Sequence, residues 1–165
     1  MRLTRYDGRM LGRDYETQNC SIARALEVVG ERWSLLVLRS VLLGHRRFDD
    51  IQRDLDITRS VLAARLRRLE QEGVIERRPY QTRPERFEYL LTAKGLELWP
   101  VLDHLRRWGD AHYATPDGPP IVIEHRGCGG EPDGHLLCDR CREPLGPGNT
   151  DARPGPGTHP AAVGS

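Results

Sequence analysis

The sequence offers no apolar run near the roughly 20 residues that a bilayer span requires. Its first residues lack the apolar core of a secretory signal as well. Both absences exclude a membrane partner and point to a soluble, cytoplasmic protein. A Gly-rich phosphate loop is missing, and no pair of carboxylates stands out from the helical charge pattern. The H-x-E pair and the proline before C-x-x-C that a zinc deaminase needs are missing too. The chain is therefore expected not to be an enzyme. Lysine is nearly absent: Lys94 stands against 24 arginines among 165 residues. Part of that bias is compositional, so the placement of the arginines has to carry the argument.

The net charge of +1 conceals an asymmetry. Residues 114–165 hold four Arg against seven Asp and Glu, a balance of −3, which leaves 21 basic against 17 acidic side chains before them, or +4. That excess is weak support for a polyanion partner, because charged helices are usually solvated faces. Gly and Pro crowd the acidic end. Residues 146–165 show no apolar periodicity and are expected to be disordered, unable to bury enough surface to offset their ordering entropy. Residues 1–19, polar and Arg-rich, read as an N-terminal arm.

Between these ends the apolar spacing defines a series of helices. Ile22, Leu26 and Val29 recur at helical intervals before Gly30. The stretch "ERWSLLVLRSVLLG" is apolar nearly all round and belongs in a core. Phe48, Ile51 and Leu55 mark a third helix. A fourth begins at the N-cap candidate Thr58, runs to about Glu72 and closes at Gly73. Its buried stripe is Leu62, Leu66 and Leu69, and the opposite arc collects Ser60, Ala63, Ala64 and Arg67, flanked by Arg59 and Arg68. Small residues bordered by guanidinium groups suit close approach to a nucleic acid backbone. "VIERRPY" and "RFEYLL" then read as two strands around the turn "QTRPE", and "TAKGLELWPVLDHLRRWGDAHY" as a last helix, kinked or joined at Pro100. That order is a mainly α fold with a small β hairpin (α+β): a winged helix-turn-helix over residues 20–113, followed by a short Cys-rich extension.

Groove chemistry divides the labour. Arg59, Ser60, Ala63 and Ala64, on the first turns of the fourth helix, are placed to meet base edges of a double-stranded DNA operator. Arg67, Arg68, Arg83 and Arg86 are placed to neutralise phosphates, with Arg46 and Arg47 as further grips on the backbone.

The run from "CSIARALEVVGERW" through "L-x-x-R-L-R-x-L-E-x-x-G-x-I" to "TAKGLELWPVLDHLRRWG" resembles the HxlR-type family of bacterial transcriptional regulators, relatives of the MarR group. The resemblance spans Cys20 to Tyr113. It implies a homodimer paired through the first and last helices, two recognition helices in successive major grooves, and a repressor rather than an activator. Ser21 departs from the proline common in the family after the first cysteine. A winged-helix protein-interaction module is the competing reading.

Four cysteines remain. Cys20 starts the first helix, where a helix N-terminus stabilises a thiolate and Arg24 lies one turn on. In some members of the family this cysteine senses oxidants or electrophiles, which implies an oxidant or small-molecule effector. A small apolar filler is the alternative. In "HRGCGGEPDGHLLCDRCRE", the pairs His125–Cys128 and Cys138–Cys141 each resemble a zinc knuckle. Three thiolates and an imidazole make a closed tetrahedral set for one structural zinc. Residues 121–145 are thus expected to form a zinc-ribbon-like extension. His135 could replace His125, and reduced, unliganded cysteines in a flexible tail are the other possibility.

Overall fold

The computed structural model describes residues 19–158. The expected arm thus lies outside the described residues, apart from Asn19, as do residues 159–165. The elements are α1 (Ser21–Val29), α2 (Ser34–Leu42), α3 (Phe48–Leu55), α4 (Arg59–Gln71), β1 (Ile75–Thr82), β2 (Glu85–Leu91), α5 (Ala93–Leu96), α6 (Trp99–Tyr113), β3 (Ile121–His125) and β4 (Thr150–Pro154).

The core forms where the spacing places it. Val37, Leu38, Ile51, Leu62, Leu66, Leu69, Val74 and Ile75 are buried together, so α2, α3 and α4 meet on their leucine-rich faces and the start of β1 seals them. α3 ends at Asp56 in the left-handed region (φ 49°), and the next two residues deliver the chain to α4. Ile57 is buried in this turn, and its carbonyl accepts a hydrogen bond from Gln52 Nε2 at 3.2 Å. Thr58 caps α4 by accepting from the Val61 backbone N–H. At the other end Gly73 takes φ +66°, its N–H meets the Glu70 carbonyl and the Val74 N–H meets that of Leu69. That is a Schellman closure, with Val74 and Leu69 as its buried apolar pair. The lone lysine adds to it: Lys94 Nζ donates to the Glu72 carbonyl at 2.7 Å, a cation on the negative end of α4.

β1 and β2 pair antiparallel from Ile75↔Leu91 to Thr82↔Glu85, with Arg83 and Pro84 in the turn. Arg47 bridges Glu88, and the Tyr89 N–H donates to the Arg46 carbonyl, so the chain entering α3 forms a short third edge to this wing. The last helical stretch is two helices joined at Glu97–Leu98. Pro100 falls in the first turn of α6, where a missing N–H costs nothing.

Beyond α6 the structure corrects one expectation. Residues 146–165 were expected to be disordered, but Thr150–Pro154 form β4, paired antiparallel with β3 from Ile121↔Pro154 to His125↔Thr150. The ladder needs no apolar alternation in β4, because its order comes from backbone pairing and polar contacts. Arg126 donates to the Asp151 carboxylate and to the Gly148 and Thr150 carbonyls. Glycines that suggested looseness serve close packing: a Cβ on Gly155 or Gly157 would sit 2.2 Å from the Pro119 carbonyl or 2.1 Å from that of Gly118. The extension therefore runs to Thr158, past the expected limit at residue 145. It packs on the helices through Trp99, Cys138 and Leu145, with Leu42 and Ile123 beside them. Arg107 donates to the Pro132 carbonyl as well.

Candidate nucleic-acid interface and candidate metal centre

The turn between α3 and α4 sets the geometry of the basic face. Capping by Thr58 places Arg59 at the first helical position, exposed, with Ser60, Ala64, Arg67 and Arg68 also exposed and Ala63 half-buried. The expected outer arc is thus on one surface. Arg59 is already engaged there. Its Nη1 donates to Asp49 Oδ1 at 2.8 Å and to Gln52 Oε1 at 3.3 Å, and its guanidinium lies 4.7 Å from the Phe48 ring centre. Sequence reasoning missed these three partners, all from α3. Arg68 pairs with Glu72 at 2.9 Å one turn on.

The remaining arginines differ in freedom. Arg47 stacks on Tyr80 of β1, 4.6 Å from the ring centre, which ties the entry to α3 to the wing. Arg77 and Arg78, also on β1, are taken up by Glu70 and Glu88. Arg46, Arg67, Arg83 and Arg86 are exposed and carry no ion pair among the described residues. The first turn of α4 contains no acidic residue, so the positive end of its dipole is uncompensated within the helix. Recognition arc, free wing arginines and helix terminus together make a surface suited to a polyanion.

The second site is built on the β3–β4 unit. His125 ends β3, Cys128 follows in the turn, and Cys138 and Cys141 lie on the next turn. One donor atom from each falls within 4.8 Å of the other three. His125 Nδ1 is 3.3 Å from the sulfurs of Cys128 and Cys141, and Cys128 Sγ is 3.4 Å and 3.6 Å from those of Cys138 and Cys141. Bonds of about 2.0–2.3 Å in a tetrahedron give edges of about 3.3–3.8 Å, so the four donors are spaced for zinc. His125 presents Nδ1 to the cluster and Nε2 to Glu143 Oε2, 3.4 Å away. A carboxylate behind a ligating imidazole fixes its tautomer and orientation. Burial pushes the Cys138 thiol up, but the N–H groups of Cys141 and Arg140, with the neighbouring thiols, outweigh it and hold it down to about 6. Gly130 permits this packing, since a Cβ there would lie 2.4 Å from Cys138 Sγ.

A model of the HxlR-like helix-turn-helix family matches residues 28–117. The chain belongs to the HxlR-like helix-turn-helix family. An uncharacterized HTH-type transcriptional regulator of Mycobacterium tuberculosis (strain H37Rv) is 45% identical over 137 residues, or 83% of this chain and 87% of the relative. A match that long in 165 residues necessarily continues past the family segment into the extension. Among solved structures, the candidate transcription factor PA1607 is 33% identical with TM-score 0.66, covering 79% of this chain and 91% of its own. The redox regulator HypR in its oxidized form is 30% identical with TM-score 0.54, covering 58% and 100%.

Within this HxlR-like chain the cysteines fall into two groups. Cys20 is exposed at the N-cap of α1, remote in sequence from the cluster and outside it. His135, the expected substitute ligand, is exposed and likewise outside the cluster. Its backbone N–H instead donates to Asp133 Oδ1, as does that of Leu137. These two N–H groups, with Arg142, hold the Asp133 carboxyl down to about 2. Asp133 braces the loop between the two knuckles, a role that no ligand spacing signals. No helix among the described residues is long and apolar enough to cross a membrane.

Proposed function

We propose that the protein is a homodimeric, sequence-specific DNA-binding transcriptional regulator acting as a repressor. The observation that carries this reading is the exposed arc of α4, bordered by unpaired arginines of the wing, in a chain of the HxlR-like family. Arg59, Ser60, Ala63 and Ala64 read base edges, and Arg46, Arg47, Arg67, Arg68, Arg83 and Arg86 hold phosphates. Counterion release makes each phosphate contact visible in the salt dependence of binding. Arg83→Ala should therefore weaken cognate and random duplexes alike and reduce the log–log salt slope by about one. An unchanged slope would remove the wing tip from the interface.

The dimer accounts for apolar surface that water would otherwise cover. Ile22 and Leu26 of α1 are 71% and 41% exposed, and Val101, Leu105 and Trp108 of α6 are 48–54% exposed. Two copies paired through these helices place half-sites roughly 10 base pairs apart. Trp108→Glu should convert the dimer to monomer and abolish operator binding; light scattering would show the change. A parent that is monomeric at micromolar concentration, yet binds its operator, would rule out the pairing.

Cys20 supports a second reading, favoured by the exposure of its thiol at the start of α1 and the likeness to a redox regulator. In this reading oxidation at Cys20 releases DNA. Peroxide should then release DNA from the parent but not from Cys20→Ser, whereas equal release from both places sensing elsewhere. The His/Cys cluster, in turn, holds one structural zinc. With all four tetrahedral positions filled by protein it has no open coordination site, and its part is to order the extension.

A further inference from the structure

The three sulfurs of the His/Cys cluster differ in their access to solvent. Cys138 is 0% exposed, Cys128 is half-buried and Cys141 is exposed. The Cys128–Cys141 contact, 3.6 Å between sulfurs, is on the exposed side of the cluster, and the Cys128–Cys138 contact, 3.4 Å, is on the part-buried side. Four protein donors leave zinc no open position, so a reagent arriving from water meets a sulfur and not the metal. That sulfur is on Cys141.

The surroundings favour its reaction. A cysteine that holds a metal does so as the thiolate, which is also its nucleophilic form. Arg140 and Arg142 flank Cys141 in the chain. Arg140 Nη1 donates to the Cys128 carbonyl at 3.0 Å, and Arg142 is held by Asp133 Oδ2 at 2.7 Å. Positive groups beside a cysteine stabilise the thiolate. A second sulfur is within reach as well. A disulfide brings its sulfurs to about 2.05 Å, so Cys128 and Cys141 have to close by about 1.5 Å. Cys128 lies between Gly127 and Gly129, the latter at φ +67°, in a turn that can yield by that amount.

We propose that Cys141 is a site of oxidation by hydrogen peroxide, with Cys128 as its resolving partner, and that the resulting disulfide dismantles the zinc site. The Cys141 thiolate attacks one peroxide oxygen. The S–O bond forms, the O–O bond breaks, and sulfenic acid and hydroxide result. The Cys128 thiolate then attacks the Cys141 sulfur. The S–S bond forms, the S–O bond breaks, and a second hydroxide leaves. Two electrons have passed from the sulfurs to peroxide, and the two hydroxides take protons from solvent to become water. The disulfide removes two donors and leaves His125 and Cys138, half the set that a structural zinc needs. Cys138 also packs with Trp99 and Leu145, so loss of the metal loosens the seat of the extension on α6. The proposal rests on the reading of the cluster as a zinc site, and it is separate from oxidation at Cys20.

The test uses the full chain with Cys20→Ser, which removes the cysteine outside the cluster. Zinc is measured before oxidant. Its release is then followed with a colorimetric chelator, with and without hydrogen peroxide, and peptide mapping without reductant locates the disulfide. About one zinc per chain should leave, with one Cys128–Cys141 disulfide formed for each zinc released. Dithiothreitol and added zinc should restore the site, since a disulfide is reversible and a sulfinic acid is not. Cys141→His in the same background keeps a donor at that corner without the attacked sulfur, so it should bind zinc and retain it under the same peroxide dose. Zinc present at the start and retained through peroxide treatment would overturn the proposal alone. Zinc absent before any oxidant would overturn the zinc reading, and the release step with it. A disulfide between Cys138 and either other cysteine, or a sulfinic acid on Cys141 with no disulfide, would overturn the assignment of roles. So would loss of zinc from Cys141→His at the rate of its parent. Should Cys141→His fail to take up zinc, the disulfide map of the Cys20→Ser chain still decides the matter.

Discussion

Cys138→Ser should purify with less than a tenth of a zinc per chain where the parent carries about one, as a four-ligand site requires. Serine is nearly the same size, but its hydroxyl is a poor ligand beside a thiolate and cannot hold the fourth corner. The position magnifies the loss. Cys138 is 0% exposed and belongs to the cluster with Trp99 and Leu145 that seats the extension on α6. Hydrogen exchange should therefore show β3 and β4 opening while the core of α2, α3 and α4 stays protected, because that core is a separate cluster. Gly130→Ala is the companion test. It removes no ligand, yet its Cβ would lie 2.4 Å from Cys138 Sγ, so it should lose the metal for geometric reasons alone.

The same site has a pH signature. Cys138 is held down from 9.0 to about 6 before any metal binds. The preference for its thiolate is fully expressed above the unfolded value and is lost as pH falls through about 6. Protons compete with metal above that pH at Cys128, whose thiol the Gly130 N–H lowers but the neighbouring thiols and burial raise further, and below it at Cys138 too, so release to a chelator should steepen as pH falls through about 6. A parent purified without metal, with all its thiols freely titratable, would refute the zinc assignment.

How much of this was legible depended on the range of the signal. α4 was legible because Thr58, the leucines at three and four, and Gly73 all lie within one short stretch and agree. The four donors of the cluster were legible because ligand spacing is local. Glu143 behind His125 and Asp133 under the intervening loop were not, since surface carboxylates are common and nothing nearby distinguishes these two. β4 was hidden for a different reason. "TDARP" has no β-branched alternation, and its order comes from a partner 25 residues away at His125. Composition read the glycines around it as freedom, whereas Gly155 and Gly157 are required by neighbouring carbonyls. The partners of Arg59 lie on another helix, and only the turn at Asp56 brings them within reach.

Arg59→Ala should weaken cognate operator binding roughly 5- to 150-fold, the range for losing one bidentate base contact, and weaken random DNA much less. The competing role is structural, because Arg59 already bridges α4 to Asp49, Gln52 and Phe48 of α3. Magnitudes separate the two. Arg59 and Asp49 have side chains 69% and 71% exposed, and an ion pair so solvated is worth about 0–1 kcal/mol. A bidentate contact to guanine is worth about 1–3 kcal/mol, so exchanging Asp49 for a base edge is favourable. The local sequence leans the same way: a cation at the first position of a helix opposes the dipole, and Asp49 offsets this in the free protein. Asp49→Ala provides the opposing test. It frees Arg59 and removes a negative charge from the surface that meets DNA, so affinity for cognate and random duplexes should both rise. If Arg59 served only to brace α3 against α4, both variants would lower the melting temperature similarly and leave the ratio of cognate to random affinity unchanged. That result would move base reading to Ser60, Ala63 and Ala64 and leave Arg59 as a strut.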